Sequence, residues 1–338
     1  MFRAQNDQAF INSCMNGHID LVKLLIEHGA KYKTHVMFRA QNEQAFINIC
    51  FKGHFDLVKL LIEHGVNIHA QNDLPFFTSC INEHIEIVKL LIKHGVNIHV
   101  QNDQALINSC RNGHIKIAKL LIEYRANINA QNGEPLINSC ISGYINMVKL
   151  LIENGANIHI QDDQAFINSC MDGHIDIVNL LIEKGADIHA QDDGSFICSC
   201  RNGHIEIVKL LIERGANIHA QDGQSLIESC VNGHIDIVKL LIEHGANIHA
   251  QNDIAFINSC KYGYIDIVKL LIEYVAKREH VNDDDKCLIC KSNNEKRIQL
   301  NCSHVYHVEC LVNCFEKCKK IICPYCQIKI DWTNCYTN

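Results

Sequence analysis

The sequence predicts a mainly helical chain, in which a long array of repeated helix pairs is followed by a small domain folded around metal ions. Two patterns among its cysteines carry this prediction. The first is a cysteine that recurs within nearly the same text through the first 278 residues. The second is a set of closely paired Cys and His residues near the C-terminus. The chain has 338 residues, of which 47% are hydrophobic and 20% charged, so it can form a buried core.

Nine copies of one segment make up the array. The marking cysteines stand thirty residues apart from Cys50 onward, and one further copy lies thirty-six residues earlier. They are Cys14, Cys50, Cys80, Cys110, Cys140, Cys170, Cys200, Cys230 and Cys260. A fixed period of roughly 20–50 residues is typical of solenoids, in which each unit buries its apolar face only against its neighbours. We therefore predict about nine stacked units.

Each copy begins with a short helix. In one copy Leu226, Ile227, Cys230 and Val231 follow the i, i+1, i+4, i+5 spacing that places side chains on one helical face. An Asn or Asp just before the helix, such as Asp103 in an earlier copy, is a residue type that caps helix starts. The cysteine therefore lies on the buried face of the first helix.

A second helix follows after a Gly-His turn. Ile205, Val208, Leu211 and Ile212 fall on one of its faces, and charged residues occupy the other. Gly215 follows where helices commonly end in left-handed geometry. The segment Ala-Asn-Ile-His-Ala-Gln that comes next is too short for a third helix, so we expect a hairpin loop between copies.

The repeated text Asn-Gly-His-Ile-Asp-Ile-Val-Lys-Leu-Leu-Ile-Glu-x-Gly-Ala-Asn resembles the ankyrin repeat, and the resemblance implies a helix-turn-helix solenoid that binds proteins. The family's Thr-Pro-Leu-His segment is replaced here, for example at 164–167, so its Thr–His hydrogen bonds are absent. The period is thirty residues rather than about 33, which we assign to a shorter hairpin finger. The cysteines stand where the family usually has alanine. The copies also resemble the ankyrin arrays of amoebal giant DNA viruses, which implies a host-cell location.

Three irregular copies give local predictions. Six extra residues at 31–36 predict a longer finger. Arg125 and Val275 replace the glycine that ends the second helix elsewhere. A left-handed Arg125 would cost about 1 kcal/mol. Without a stop signal at Val275, we expect the last helix to continue through residues 276–278.

Eight potential zinc ligands lie in four close pairs near the C-terminus. They are Cys287, Cys290, Cys302, His304, His307, Cys310, Cys323 and Cys326. Structural zinc takes four Cys or His ligands, so eight ligands predict two Zn²⁺ ions. Metal binding would supply folding energy that so short a segment cannot obtain from its own core. A single finger using both histidines would leave four cysteines unused, and its histidines stand too close together.

The order Cys-Cys-Cys-His-His-Cys-Cys-Cys and the closing Cys-Pro-Tyr-Cys resemble the RING finger. The resemblance implies a cross-braced fold with two interleaved sites. One ion would be held by Cys287, Cys290, His307 and Cys310, and the other by Cys302, His304, Cys323 and Cys326.

RING fingers usually recruit a ubiquitin-conjugating enzyme and form no covalent intermediate. The resemblance assigns this docking to Ile289, Phe315, Pro324 and Gln327. Ile289 and Pro324 match the family, whereas Phe315 stands beside the position of the usual tryptophan. Gln327 replaces a cation that clamps ubiquitin in many active members, and it lacks the strength of a charge-assisted hydrogen bond.

Two functions therefore stay open. One is a ubiquitin ligase whose ankyrin array binds a protein substrate while the zinc finger recruits the conjugating enzyme. The other is a non-catalytic interaction scaffold with a structural zinc domain. The sequence has no phosphate-binding glycine loop and no nucleophile–base pair in a recognisable motif, which argues against a conventional enzyme. The predicted domains are the solenoid (1–278), an acidic linker (279–286), the finger (287–327) and a tail (328–338).

Charge and hydropathy exclude two classes of partner. The formal net charge is −7, and residues 281–338 carry eight Lys or Arg against seven Asp or Glu. Neither the solenoid nor the C-terminal region therefore has the excess of basic residues that nucleic-acid binding requires. Apolar runs are far shorter than the roughly 20 residues of a membrane helix. The N-terminus lacks the apolar core of a signal peptide. We expect an intracellular protein, cytoplasmic or nuclear.

The partner-binding surface is expected where the copies differ most, which is directly after the repeat cysteine. These positions form the recognition stripe, namely Met15, Phe51, Ile81, Arg111, Ile141, Met171, Arg201, Val231 and Lys261.

Overall fold

The computed structural model describes residues 2–27, 36–276, 289, 297–299, 305–307 and 310–314. Within these ranges it contains eighteen helices, a helical stretch at 310–314 and two strands. The helices are α1 (Phe2–Met15), α2 (Ile19–Glu27), α3 (Val36–Lys52), α4 (Phe55–Glu63), α5 (Ala70–Ile81), α6 (Ile85–Lys93), α7 (Val100–Asn112), α8 (Ile115–Glu123), α9 (Ala130–Ile141), α10 (Ile145–Glu153), α11 (Gln164–Met171), α12 (Ile175–Glu183), α13 (Ala190–Asn202), α14 (Ile205–Glu213), α15 (Ala220–Val231), α16 (Ile235–Glu243), α17 (Ala250–Tyr262) and α18 (Ile265–Ala276). The strands β1 (Arg297–Gln299) and β2 (Val305–His307) pair antiparallel. The predicted mainly helical array of helix pairs is confirmed.

The chain forms two compact units, Met1–Ala165 and Phe166–Asn338. In the first unit α1, α3, α5, α7 and α9 pack side by side in chain order, and α4, α6, α8 and α10 form a second layer. In the second unit α13, α15 and α17 form one layer, and α12, α14, α16 and α18 form the other. The unit boundary falls within the predicted solenoid. The predicted linker, 279–286, and tail, 328–338, lie outside the described residues.

The first helix buries the face that the sequence predicts. In α15 the side chains of Leu226 and Ile227 are 1% and 5% exposed, and that of Cys230 is fully buried. Val231, at the end of the helix, is only half-buried. The repeat cysteines are therefore core residues, as expected.

The buried stripe of the second helix matches two of the four predicted residues. In α14, Ile207, Val208 and Leu211 are buried, whereas Ile205 and Ile212 are half-buried. The helix packs on α13 of its own repeat and also on α12 and α16 of the neighbouring repeats. The buried stripe therefore centres on the contact with the neighbouring helices rather than on the widest apolar face.

The turn between the two helices depends on a glycine that receives a ring from the next repeat. Gly203 has φ +83°, and His234 lies directly over it. Nε2 of His234 donates to the carbonyl oxygen of Arg201 at 2.9 Å. His84 and His204 make the same contact with Phe51 and Met171. These histidines therefore serve as turn and loop hydrogen-bond donors, as expected.

The hairpin loop predicted between copies is wrong. Within the described residues, the connecting segments contain no strand. Three consecutive residues with positive φ interrupt the first turn of each first helix from α5 onward, except at α11, where they directly precede the helix. These left-handed triplets are 71–73, 101–103, 131–133, 161–163, 191–193, 221–223 and 251–253. A hairpin needs two extended segments and a turn, and the shortened repeat has no length for them. A tight left-handed turn takes the place of the finger.

The capping role predicted for Asn102 and Asp103 is also wrong. Both residues belong to a left-handed triplet, with φ +55° and +61°, whereas a capping residue normally has extended backbone. Of the longer finger predicted at 31–36, residues 31–35 lie outside the described residues, and Val36 begins α3.

The two irregular helix ends follow the prediction. Arg125 has φ +66° and thus takes the left-handed conformation that glycine holds elsewhere. The helix α18, which lacks the stop signal at Val275, has twelve residues where other second helices have nine, and it reaches Ala276. Residues 277 and 278 lie outside the described residues.

Replacing Gly203 with alanine tests the turn. An added Cβ would lie 2.6 Å from Cε1 of His234, whereas Gly215, with φ +93°, has no atom within 4 Å of an added Cβ and is the matched control. We expect Gly215→Ala to lose about 1 kcal/mol of unfolding free energy through backbone strain. Gly203→Ala should lose about 1–3 kcal/mol more, because the ring must move. Equal losses in urea unfolding would contradict the packing of His234 on Gly203.

Candidate functional site

The left-handed turns are held together by glutamine side chains that reach back one repeat. Nε2 of Gln131 donates to the carbonyl oxygens of Gln101 and Asn102 at 3.2 and 3.3 Å, and to Oε1 of Gln104 at 3.0 Å. Gln251 makes the same three contacts in the second unit. Backbone carbonyl groups need hydrogen-bond partners. These glutamine side chains supply hydrogen bonds between neighbouring repeats that hairpin fingers would otherwise supply. The result is a ladder of amides along one edge of each unit.

A buried aspartate makes a second connection between repeats. Asp103 is 6% exposed, and its Oδ1 accepts from Nδ1 of His99 at 2.9 Å and from the backbone N–H of Asn127 at 3.0 Å. Asp193 bonds His189 and Asn217 in the same way, at 3.1 and 2.9 Å. This His–Asp pair replaces the Thr–His bonding that the sequence lacks. Its hydrogen bonds also compensate for the free energy that burying the aspartate carboxylate without partners would cost.

One repeat shows how the aspartate contact is replaced. Gly133 stands at the aspartate position, and Asn129 stands at the histidine position. Here Oδ1 of Asn129 accepts from the backbone N–H of Asn157 at 2.9 Å. The N–H of the next repeat thus keeps a partner even though the aspartate is missing.

Sequence reasoning did not find the contacts that these Gln and Asp residues make between repeats. The glutamines end the segment expected to form a hairpin, the aspartate was expected to cap a helix, and the partners in neighbouring repeats are 24 to 30 residues away. The available signal was the recurring Gln-Asn-Asp or Gln-Asp-Asp text, because Asn and Asp tolerate left-handed backbone better than other non-glycine residues.

The recognition stripe lies at the ends of the first helices, and much of it is accessible. Phe51 and Ile141 are 52% and 44% exposed, and Arg111, Arg201 and Lys261 are exposed as well. The remaining stripe residues are half-buried, and they are Met15, Ile81, Met171 and Val231. Single exposed apolar residues are common, but Phe51 and Ile141 occupy the same position in two repeats of the first unit.

The two arginines of the stripe differ in how their charge is balanced. A guanidinium nitrogen of Arg201 donates to Oε1 of Glu228 at 2.9 Å, and this ion pair holds the pKa of Glu228 below its usual value. Nε of Arg111 donates to Oδ1 of Asn138 at 3.0 Å, and among the described residues it forms no ion pair. The first unit therefore presents apolar side chains beside a cation that makes no direct ion pair among the described residues.

The repeat cysteines are poor candidates for chemistry. Burial raises the pKa of Cys110 to about 12 and that of Cys200 further still. Because the thiolate is the nucleophile and the metal ligand, such thiols are inert. Cys198 is half-buried, and burial also raises its pKa, against the opposing effect of Arg201. These thiols serve packing.

Two of the eight predicted zinc ligands lie in the described residues. His307 ends β2 and is 2% exposed, and Cys310 begins the helical stretch 310–314 and is half-buried. An imidazole and a thiol three residues apart are the donor types that zinc takes, so this pair fits the predicted ion. No group of three or more metal-binding side chains occurs in the described ranges. The other six ligands lie outside them, namely Cys287, Cys290, Cys302, His304, Cys323 and Cys326.

The predicted docking residues are described only in part. Ile289 is 44% exposed, which leaves it accessible to a partner. Phe315, Pro324 and Gln327 lie outside the described residues. Val305 and Tyr306 of β2 are buried together with Leu311 and Val312. These buried apolar residues flank the ligand pair in the sequence.

The fold and these surfaces define a class of repeat protein that works by binding other proteins. The family model for ankyrin repeats (3 copies) matches residues 3–72, 47–132, 76–162, 126–192, 166–252, 196–285 and 226–314. The chain therefore belongs to the ankyrin repeat family, and a protein–protein interaction role follows. A search among curated proteins finds no match. In the part of the chain that the structure describes, no helix has the length and apolar character to cross a bilayer.

Alkaline pH tests the buried thiols. Burial raises the pKa of Cys200 in the folded state from an ordinary value of 9.0. The stability that the buried thiol contributes is therefore complete below pH 9 and is lost progressively as the pH rises from 9 to the folded-state pKa. Each such thiol should remove about 1.4 kcal/mol of unfolding free energy per pH unit. Between pH 9 and 11, Cys200→Ala should lose stability less steeply than the unmodified chain by this amount. Cys198→Ala, at a less buried thiol, should change the slope less. Parallel slopes in urea unfolding for all three chains would contradict the assignment.

Proposed function

We propose that the ankyrin array is a receptor for a protein partner and that the recognition stripe is the contact surface. The exposed apolar side chains of the stripe in the first unit carry this proposal, because Phe51 and Ile141 remain accessible to a partner although they are large and apolar. Burying such side chains against a partner removes apolar area from water at about 25 cal/mol per Å².

The uncompensated charge of Arg111 indicates the chemistry of the partner. An acidic group placed against Arg111 would form a charge-assisted bond without displacing an existing carboxylate. The same group at Arg201 would compete with Glu228. We therefore propose that the partner segment bound by the first unit carries apolar side chains and at least one acidic residue.

Two matched substitutions test this surface. Partners captured by the full chain are identified, and their affinity is then measured for Arg111→Gln and Arg201→Gln. We expect Arg111→Gln to weaken binding roughly tenfold or more, the value of a lost charge-assisted contact of about 1.5 kcal/mol. Arg201→Gln should have a smaller effect, because its charge is already paired.

Two further measurements test whether the variants are folded and whether the apolar residues of the stripe contribute to binding. Both variants should unfold at the same urea concentration as the unmodified chain. Phe51→Ala should weaken binding, whereas Tyr124→Ala, which removes an aromatic side chain that is 53% exposed outside the stripe, should not. Loss of binding in Tyr124→Ala alone would place the contact surface elsewhere.

We further propose that the C-terminal segment is a RING-type zinc finger and that the chain acts as a ubiquitin ligase. Its support is the spacing of the eight ligands, the fit of His307 and Cys310 to zinc, and the exposure of Ile289 between the first two ligand positions. Such a domain accelerates transfer by holding the loaded conjugating enzyme close to a substrate lysine, so its contribution is proximity and orientation. The alternative is a scaffold whose zinc domain is purely structural, and Gln327 favours it.

Ubiquitin transfer distinguishes ligase from scaffold. The chain is incubated with a panel of conjugating enzymes, activating enzyme, ubiquitin and ATP. We expect ubiquitin chains that disappear in Ile289→Ala, because the docking contact is lost, and persist in Ile257→Ala, a control at an isoleucine that is 39% exposed on the solenoid. Elemental analysis should find two zinc ions per chain in all three proteins. Zinc-loaded protein that forms no chains with any conjugating enzyme would support the scaffold instead.

A further inference from the structure

The two ends of the solenoid differ in how their apolar side chains are covered. At the N-terminal end, Leu21 of α2 is 43% exposed, whereas the equivalent Leu57 of α4 is 2% exposed. This is the result expected of a terminal unit, because it lacks a neighbour on one side. The C-terminal end should show the same loss of burial.

The second-helix layer shows the opposite at the C-terminal end. One isoleucine of each second helix is half-buried through most of the array, as at Ile212, but Ile242 is 5% exposed and Ile272 is fully buried. Lys269 of α18 is half-buried, whereas its equivalent Lys239 is exposed. Something other than a further repeat therefore covers α18 and part of α16.

The first-helix layer at the same end provides an internal comparison. Ile257 of α17 is 39% exposed, whereas its equivalent Ile227 is 5% exposed. Cys260 is half-buried, although the preceding repeat cysteine, Cys230, is fully buried. This layer has the exposure of an uncovered terminal unit. The cover is thus confined to the second helices.

A strand of the C-terminal segment reaches this end of the solenoid. The strand β1 contacts α18 and pairs with β2, whose three residues are all buried. Tyr306 is fully buried, and Leu311 and Val312 are at most 1% exposed. His307 lies within this same small core. The segment that buries α18 therefore also carries part of the predicted metal site.

We propose that the C-terminal residues 297–299, 305–307 and 310–314, here called the cap, dock on α18 and α16 as the end unit of the solenoid. Metal binding by the cap and the stability of the last repeat are then linked. The linkage rests on the proposed zinc finger, whereas the docking rests on burial and contacts alone. Anything that binds only the folded cap stabilises every element that the cap covers. Such coupling is reciprocal, so a weaker docking surface must also weaken zinc binding.

Hydrogen exchange of the full chain tests the docking. Amide exchange is followed in α18, α14 and β2, with zinc bound and after chelation. We expect chelation to accelerate exchange in β2 and α18 by roughly tenfold or more, within the usual range of coupling between sites, and to leave α14 unchanged. Unchanged exchange in α18 while β2 loses its protection would overturn the proposal.

A matched pair of substitutions tests the reverse direction. Ile272→Ala removes a fully buried side chain of α18, the helix that β1 contacts, and Ile212→Ala makes the same change at the equivalent position of α14. We expect Ile272→Ala to accelerate exchange in β2 and to weaken zinc affinity by roughly 5-fold or more, and Ile212→Ala to do neither. Equal effects of the two variants on β2 and on zinc affinity would overturn the proposal.

The proposed zinc finger and the proposed docking are contradicted by different results. A chain that binds no zinc overturns the zinc finger and the linkage together. The docking is then decided by β2 exchange in Ile272→Ala against Ile212→Ala. Ubiquitin transfer is not a readout in either experiment, so loss of ligase activity does not bear on the result.

Discussion

Contact between neighbouring repeats is the constraint on which the rest of the structure depends. Two short helices cannot bury both sides of the stripe that contains Ile207 and Leu211, because their equivalents in the terminal helix α2, Leu21 and Leu25, are exposed and half-buried. The polar groups of the connecting segments must then find partners across the same boundary. The glutamine ladder and the buried aspartates meet this need. Apolar and polar contacts thus stabilise the same interface.

The shortened repeat explains why these polar contacts take their particular form. Left-handed backbone costs roughly 1–2 kcal/mol per non-glycine residue, and each connecting segment contains two or three such residues in succession. That cost is offset only if the turn gains bonds that an extended finger could not make. Gln131 gains three acceptors in the preceding repeat, and Asp103 bonds the next one. The substitution at Gly133 is tolerated because Asn129 supplies the missing acceptor.

Local patterns in the sequence were sufficient for the features that depend on local chemistry. The helix pairs, the glycine turn at Gly203, the left-handed Arg125 and the extended α18 all follow from periodicity and from residues that start or stop helices. The left-handed triplets did not, because their stability comes from partners in the next repeat. The burial of Ile272 could not be predicted either, because the strand β1 that contacts α18 lies outside the repeat. Of the predicted zinc site, only His307 and Cys310 lie among the described residues.

The asymmetric end of the solenoid bears on how a ligase of this kind would work. Transfer by proximity depends on the effective concentration of the loaded enzyme near its target, and a long flexible linker lowers it. A cap docked on α18 limits how far the conjugating enzyme can move relative to the last repeat, because the segment that carries His307 contacts that repeat through β1. The stripe residues Arg201, Val231 and Lys261 belong to the same unit as the cap. A substrate bound there would be held by the same compact unit as the conjugating enzyme, so the choice of target lysine would depend on the docking geometry.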